Sequence, residues 1–358
     1  MEEESKGFRA FLKRKNVTLS PKLYFVDAMG TMALGLFASL LIGTIFGTLN
    51  TYIGWSVLAE MASYAKLATG AVLGIAVATA LKAPPLVLFS AGAVGLAGNE
   101  IGISVLLEGA ETPYHVGAGP AGAFLCVLVA VEIGKLVSKE TKVDILVTPV
   151  VTIFVGVGLA ALLCPAIAWV VYGLGGFINE TTKVMPFLMG IILSVVVGVI
   201  LTLPISSAAI CAMIGITGLA GGAATAGCCA QMVGFAVISF RENRWSGVVA
   251  QGLGTSMLQM GNIVKRPQIW IPPTLAAAIT GPVATCLFKL ECTGVSAGMG
   301  TCGLVGPIGI FTDMGFTANS ILGVTLTCIV LPAVLSLLFA EGMRRLGWIR
   351  EGDMKLEL

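Results

Sequence analysis

Long apolar runs alternate along the chain with short breaks rich in glycine, proline and polar residues, and within each run the apolar character is continuous rather than every second residue. The runs fall at about 24–48, 64–82, 84–106, 116–137, 145–174, 184–204, 208–239, 246–263, 270–289 and 317–342. About 20 apolar residues carry a helix across the hydrocarbon core, so the pattern predicts an all-α, polytopic integral membrane protein with about ten transmembrane helices. A β-barrel is excluded, because its strands would alternate apolar and polar positions. The expected organisation is a basic amphipathic segment over 1–22, one transmembrane domain over 23–342 and a polar tail over 343–358.

Three stretches depart from the spanning pattern. The first, 107–122, carries Glu108, Glu111, Tyr114 and His115 and ends in Gly117-Ala118-Gly119-Pro120-Ala121-Gly122. The second is the glycine-rich run 215–227, and the third, 291–307, opens at Glu291 and ends at Gly306-Pro307. Irregular backbone at membrane depth persists only where protein or a wet cavity satisfies its polar groups. The first and third therefore read as re-entrant or broken-helix elements, whereas for 215–227 close helix packing through small residues is an equal alternative. An internal echo links the two halves: Gly119-Pro120-Ala121-Gly122-Ala123-Phe124 matches Gly306-Pro307-Ile308-Gly309-Ile310-Phe311, and Pro84-Pro85 precedes one as Pro272-Pro273 precedes the other. A two-repeat architecture follows as an expectation, and transporters bind substrate where such repeats meet.

Charge sharpens the topology. Of 358 residues only 11% are charged, and 1–22 together with 341–358 hold 17 of those 40 side chains. Basic residues cluster at the N-terminus, at Lys135, Lys139 and Lys142, at Arg241 and Arg244, and at Arg344, Arg345 and Arg350. The positive-inside rule assigns these clusters, and both termini, to the cytoplasm. A net charge of +2 offers nothing to nucleic acid. The nine cysteines lack metal-site spacing and read as small buried side chains. No metal, cofactor or catalytic residue is expected, and the chain shows no phosphate-binding loop for ATP and no serine elbow beside its single histidine.

Ionisable groups inside a membrane are functional candidates by default. Asn99 and Glu100 close the third apolar run, and a carboxylate there can accept bonds from a polyol or carry a proton, unless it is simply wet at a helix end. Glu100, Glu108 and His115 are the candidates for proton or ion coupling. Asn99, Glu100, Glu111, Tyr114 and His115 on one side and Glu291, Thr293, Ser296 and Thr301 on the other are the candidates for substrate binding. Gln251, Gln259 and Asn262 recur at helical spacing and either line a polar path or bond between helices. Glu132 and Lys135 read as a structural pair, and Asp27 and Asp313 as caps or cavity residues.

With the broken elements in view, the chain resembles the EIIC membrane components of the bacterial sugar phosphotransferase system, in the divergent branch of the perfringolysin O regulator-like proteins. The residues that carry the likeness are 117–122, Lys265-Arg266-Pro267-Gln268-Ile269-Trp270-Ile271-Pro272-Pro273-Thr274 and Gly298-Met299-Gly300-Thr301-Cys302-Gly303-Leu304-Val305-Gly306. The resemblance implies an inner-membrane homodimer that moves a sugar-like solute by alternating access. Two re-entrant hairpins, 107–122 and 291–307, would hold the solute, with a glutamate and a histidine contacting it. The family's phosphoryl transfer needs IIA and IIB parts, so either separate proteins supply them or the chain transports without phosphorylating, driven by an ion gradient. The wider class carries Gly-Ile-Thr-Glu in its sugar site. Here Gly294-Val295-Ser296-Ala297 stands nearest, with Ala297 in the glutamate's place, leaving Glu291, Glu100 or Glu111 to substitute. Two other functions fit the same residues: a membrane sensor that binds a solute, and an ion-coupled carrier of a non-sugar substrate.

Overall fold

The computed structural model describes residues 11–12, 14–17, 20–106 and 112–356. Most of the expected segment 1–22, and both Glu108 and Glu111, lie outside the described residues. The chain forms two compact units, one from residues up to 40 with 67–169 and the other from 41–66 with 170 onward.

The first unit is built from α1 (Met29–Leu36), α2 (Thr69–Ala80), α3 (Pro85–Glu100), the strand pair β1 (Gly102–Val105) and β2 (Tyr114–Gly117), α4 (Gly119–Val137) and the first part of α5 (Asp144–Thr181). Proline stands in the first turn of both α3 and α4, where its missing N–H costs nothing. Helix α2 packs on α1, α3 and α4. The approach to α3 is backbone to backbone: a methyl on Gly74 would lie 2.0 Å from the Ala91 carbonyl. In lipid, such small-residue contact is what holds helices together, because apolar side chains gain nothing by leaving hydrocarbon.

The second unit centres on α7 (Gly218–Ile238), which packs on α6 (Pro186–Thr202), the short α8 (Phe240–Val249), α9 (Ile271–Pro282) and α11 (Leu331–Arg345). Here the glycine-rich run is close helix packing: a methyl on Gly227 would meet the Ser194 carbonyl at 1.9 Å, and α7 is 89% buried. The short helix α10 (Val305–Met314) begins at the second Gly-Pro pair, as α4 begins at the first. The proline pairs likewise open α3 and α9, so both halves of the sequence echo start helices, each in its own unit.

Among the described residues six helices are long and apolar enough to cross a membrane, or seven if the bent pair Ser56–Leu67 and Thr69–Ala80 is one span. Two expected spans take other forms. The run 84–106 is helix only to Glu100, then strand, and 246–263 falls into short α, π and 3-10 pieces, broken where Thr255 turns extended. Gln251 donates to Ser239 Oγ, Gln259 to Gln251 and the Met354 carbonyl, and Asn262 to Gln259 and the Lys355 carbonyl. Their amide N–H groups are thus committed to structure, two of the bonds docking the C-terminal tail. Asn243 completes the clasp with a bond to the Met354 carbonyl and one from Leu356 N–H, both 2.8 Å.

Candidate functional site

In the first unit the candidate residues are set by the way α3 ends. Ile101 turns extended, with φ −63° and ψ 133°, so the chain leaves the helix as β1, which pairs antiparallel with β2: Gly102 opposite Gly117, Ser104 opposite His115, Val105 opposite Tyr114. Both glycines at the base are required by closeness. A methyl on Gly102 would lie 1.9 Å from the Val116 carbonyl, and one on Gly117 2.7 Å from that of Asn99.

This register returns His115 to the end of α3. Its Nε2 lies 2.6 Å from the Glu100 carbonyl, and since a carbonyl only accepts, Nε2 carries the proton. The imidazole thus caps a helix C-terminus, and in the neutral ring Nδ1 remains an acceptor. Asn99 Nδ2 donates to Glu100 Oε1 at 2.8 Å, which leaves Oε2 and His115 Nδ1 with no bond from the described residues. Glu100, Tyr114 and His115 are exposed and Asn99 is half-buried.

The second unit treats its broken element differently. Residues 292–294 bond backbone to backbone with 216–218, Cys292 N–H to the Gly218 carbonyl and Gly294 N–H to the Ile216 carbonyl. Gly221 lets the two approach, since a methyl there would fall 1.7 Å from the Cys292 carbonyl. Glu291 and Thr293 are exposed, and Thr293 Oγ1 donates to Asp313 Oδ1 at 3.4 Å. Ser296 is half-buried in the short helix Gly294–Ala297, packed under Gly309, and Ala297 beside it is fully buried. Thr301 is 3% exposed and turned toward Met232 Sδ at 3.6 Å.

Direct bonds therefore join Asn99, Glu100 and His115 in one unit and Thr293 with Asp313 in the other. Two polar groups escaped the sequence reading. Asp313 stood undecided between cap and cavity and proves to be the partner of Thr293. Gln231, fully buried in α7, accepts from Trp270 Nε1 at 3.1 Å and donates to Thr274 Oγ1 at 3.0 Å. A glutamine inside an apolar run was the available signal for the second.

A family model for the phosphotransferase system EIIC component matches residues 26–356. The chain belongs to this family. No curated protein and no solved structure matches it. As an EIIC protein it is a multi-pass membrane transport component of the phosphotransferase system. Outside the spans, two carboxylates of this EIIC chain have displaced pKa values. Glu140 is held below the usual carboxylate range by its bond from Lys15, with Arg14 adding to it, and Glu242 is pushed up by burial against the opposing pull of N–H bonds from Gly352 and Met354. Among the described residues no group of three or more His, Cys, Asp or Glu side chains is arranged to hold a metal ion.

Proposed function

We propose that this EIIC protein carries a small polar solute, a sugar or sugar-like molecule, across the bacterial inner membrane by alternating access, as a homodimer working with separate IIA and IIB proteins. The observation that carries the reading is the joined set Asn99, Glu100 and His115 at the foot of the β-hairpin. A carboxylate oxygen and an imidazole acceptor on neighbouring residues suit the hydroxyl donors of a polyol. Tyr114 is exposed next to His115 in β2, but successive strand side chains point to opposite faces, so its ring lies away from this set. The stretches 107–122 and 291–307 are the re-entrant parts of the carrier.

Orientation draws support from contacts within each unit. Arg14 and Lys15 pair with Glu140, so the N-terminal and 135–142 basic clusters share one end. Arg241 pairs with Glu341 and Arg344 donates to the Ile238 carbonyl, so the 241–244 and 344–350 clusters do too. Both pairings fit cytoplasmic termini.

Purified protein in proteoliposomes, offered labelled hexoses, polyols and organic anions in turn, should accumulate a hydroxylated solute, and Glu100→Gln should abolish this. Silence across the panel with folded protein contradicts the reading, and saturable binding without uptake supports the sensor function instead.

A further inference from the structure

The first unit holds a polar cavity, of about 520 Å³, at the turns that follow α2 and α4 and beside residues 14–16. Arg14, Lys15, Lys82, Lys135 and Lys139 line it, with Glu140 as its one acidic wall residue. Asn16, Lys82 and Lys139 each take a left-handed φ, of 58°, 53° and 61°. Glycine is the low-cost residue for that backbone, yet lysine stands at two of the three positions.

Donor accounting separates structural cations from available ones. Lys135, with a fully buried side chain, spends its three N–H groups on Glu132 Oε1 at 2.9 Å, the Asn16 carbonyl at 3.0 Å and the Leu81 carbonyl at 3.2 Å. It ties the turns together and has nothing left for a ligand. Lys15 donates to the Ser138 carbonyl and to Glu140, and Arg14 uses one nitrogen on Glu140. The Lys82 and Lys139 ammonium groups donate no hydrogen bond among the described residues, and both are exposed at the rim. Asp144 is the remaining acid nearby, its carboxylate accepting from Lys139 N–H and Thr148 Oγ1. Five cations against Glu140, Glu132 and Asp144 leave two positive charges uncompensated.

We propose that this cavity binds a phosphate group, held by Lys82, Lys139 and the free edge of the Arg14 guanidinium. A phosphate ester carries about two negative charges at neutral pH, which matches the excess. The volume lies within the range of ligand pockets, so the phosphate comes with an organic portion attached. Two sources share this chemistry: the headgroup of an anionic lipid, since basic pockets at helix ends collect such headgroups, and a soluble phosphate or phosphate ester. The site is separate from the β-hairpin and does not depend on the solute assigned there.

The test uses the full chain in phosphatidylcholine nanodiscs, with and without phosphatidylglycerol, and follows thermal stability against inorganic phosphate at constant ionic strength, with native mass spectrometry for retained lipid. Lys82→Gln combined with Lys139→Gln is compared with Lys22→Gln combined with Lys142→Gln, which removes equal charge away from the cavity wall. Saturable stabilisation by phosphate in phosphatidylcholine alone, weakened about tenfold or more by the first pair and unchanged by the second, establishes a soluble ligand. Retention of phosphatidylglycerol lost in the first pair alone, with no response to phosphate, establishes the lipid. Equal behaviour of both pairs, or an equal response to chloride, overturns the proposal. If the double variant fails to fold, Lys82→Gln alone carries the same comparison.

Discussion

The two broken elements of this EIIC protein begin from the same sequence signal, a glycine- and proline-rich interruption of apolar chain, and satisfy their backbones in opposite ways. The first pairs with itself as β1 and β2, which leaves the side chains at its foot free to face outward. The second pairs with residues 216–218 against α7; its Thr301 hydroxyl turns inward to Met232, and its exposed Thr293 is bonded to Asp313. An interruption alone says where helix stops. Which partner takes its N–H and C=O groups decides whether the polar side chains beside it remain available for a solute.

The harshest way to probe the contrast is steric. Gly221→Ala places a methyl 1.7 Å from a backbone oxygen inside a fully packed helix contact. It should cost about 3 kcal/mol, the upper part of the usual overpacking range, read as a fall in melting temperature of detergent-solubilised protein. Gly102→Ala makes a similar clash, 1.9 Å from the Val116 carbonyl, but on a two-stranded ribbon. Such a ribbon has little stability of its own to lose, so solute binding should fail while the melting temperature moves much less. Equal losses of stability in the two variants would erase the distinction between the elements.

Side-chain deletions come next. Glu100→Gln should weaken solute binding by about 1.5–3 kcal/mol, the range for hydrogen bonds to charged groups, and His115→Ala by about 1.5 kcal/mol, the upper end for a neutral acceptor. Thr301→Val should leave affinity as it was, because its hydroxyl is buried against Met232.

Much of the fold was legible because hydropathy reports burial in lipid directly. The helical membrane class and the Glu132–Lys135 pair at 2.9 Å follow from local sequence. The strand Gly102–Val105 was not legible, since four residues at the end of an apolar run look alike as helix or strand. The clasp of Asn243, Gln259 and Asn262 on the tail joins positions some ninety residues or more apart, and no local pattern announces it. The same holds for the site: Glu100 and His115 were visible as rare polar groups in apolar chain, but the bond between the ring and the Glu100 carbonyl depends on strand register.

Smaller effects extend the comparison to the unit ends, where the second unit again turns its polar groups inward. Asn243→Ala strips two bonds from the tail and should cost about 1–2 kcal/mol, seen as faster proteolysis beyond residue 345. Glu242 is raised by burial, so its folded form favours the proton. Tail docking should therefore be firmest below the ordinary glutamate value of 4.5 and weaken as pH rises through the window above it, a dependence that Glu242→Gln removes. Glu140, exposed and lowered by Lys15, has the opposite sign: its contribution is present above 4.5 and fades as pH falls below that. Glu140→Gln should give the smallest change of the series, shrinking further in high salt.

The central claim is that the solute sits at the foot of the β-hairpin. Equilibrium binding of the transported solute to wild-type protein, His115→Ala and Thr301→Val tests it most directly. The account predicts wild-type affinity for Thr301→Val and about a tenfold loss for His115→Ala. Unchanged affinity in folded His115→Ala, or a loss confined to Thr301→Val, would contradict it.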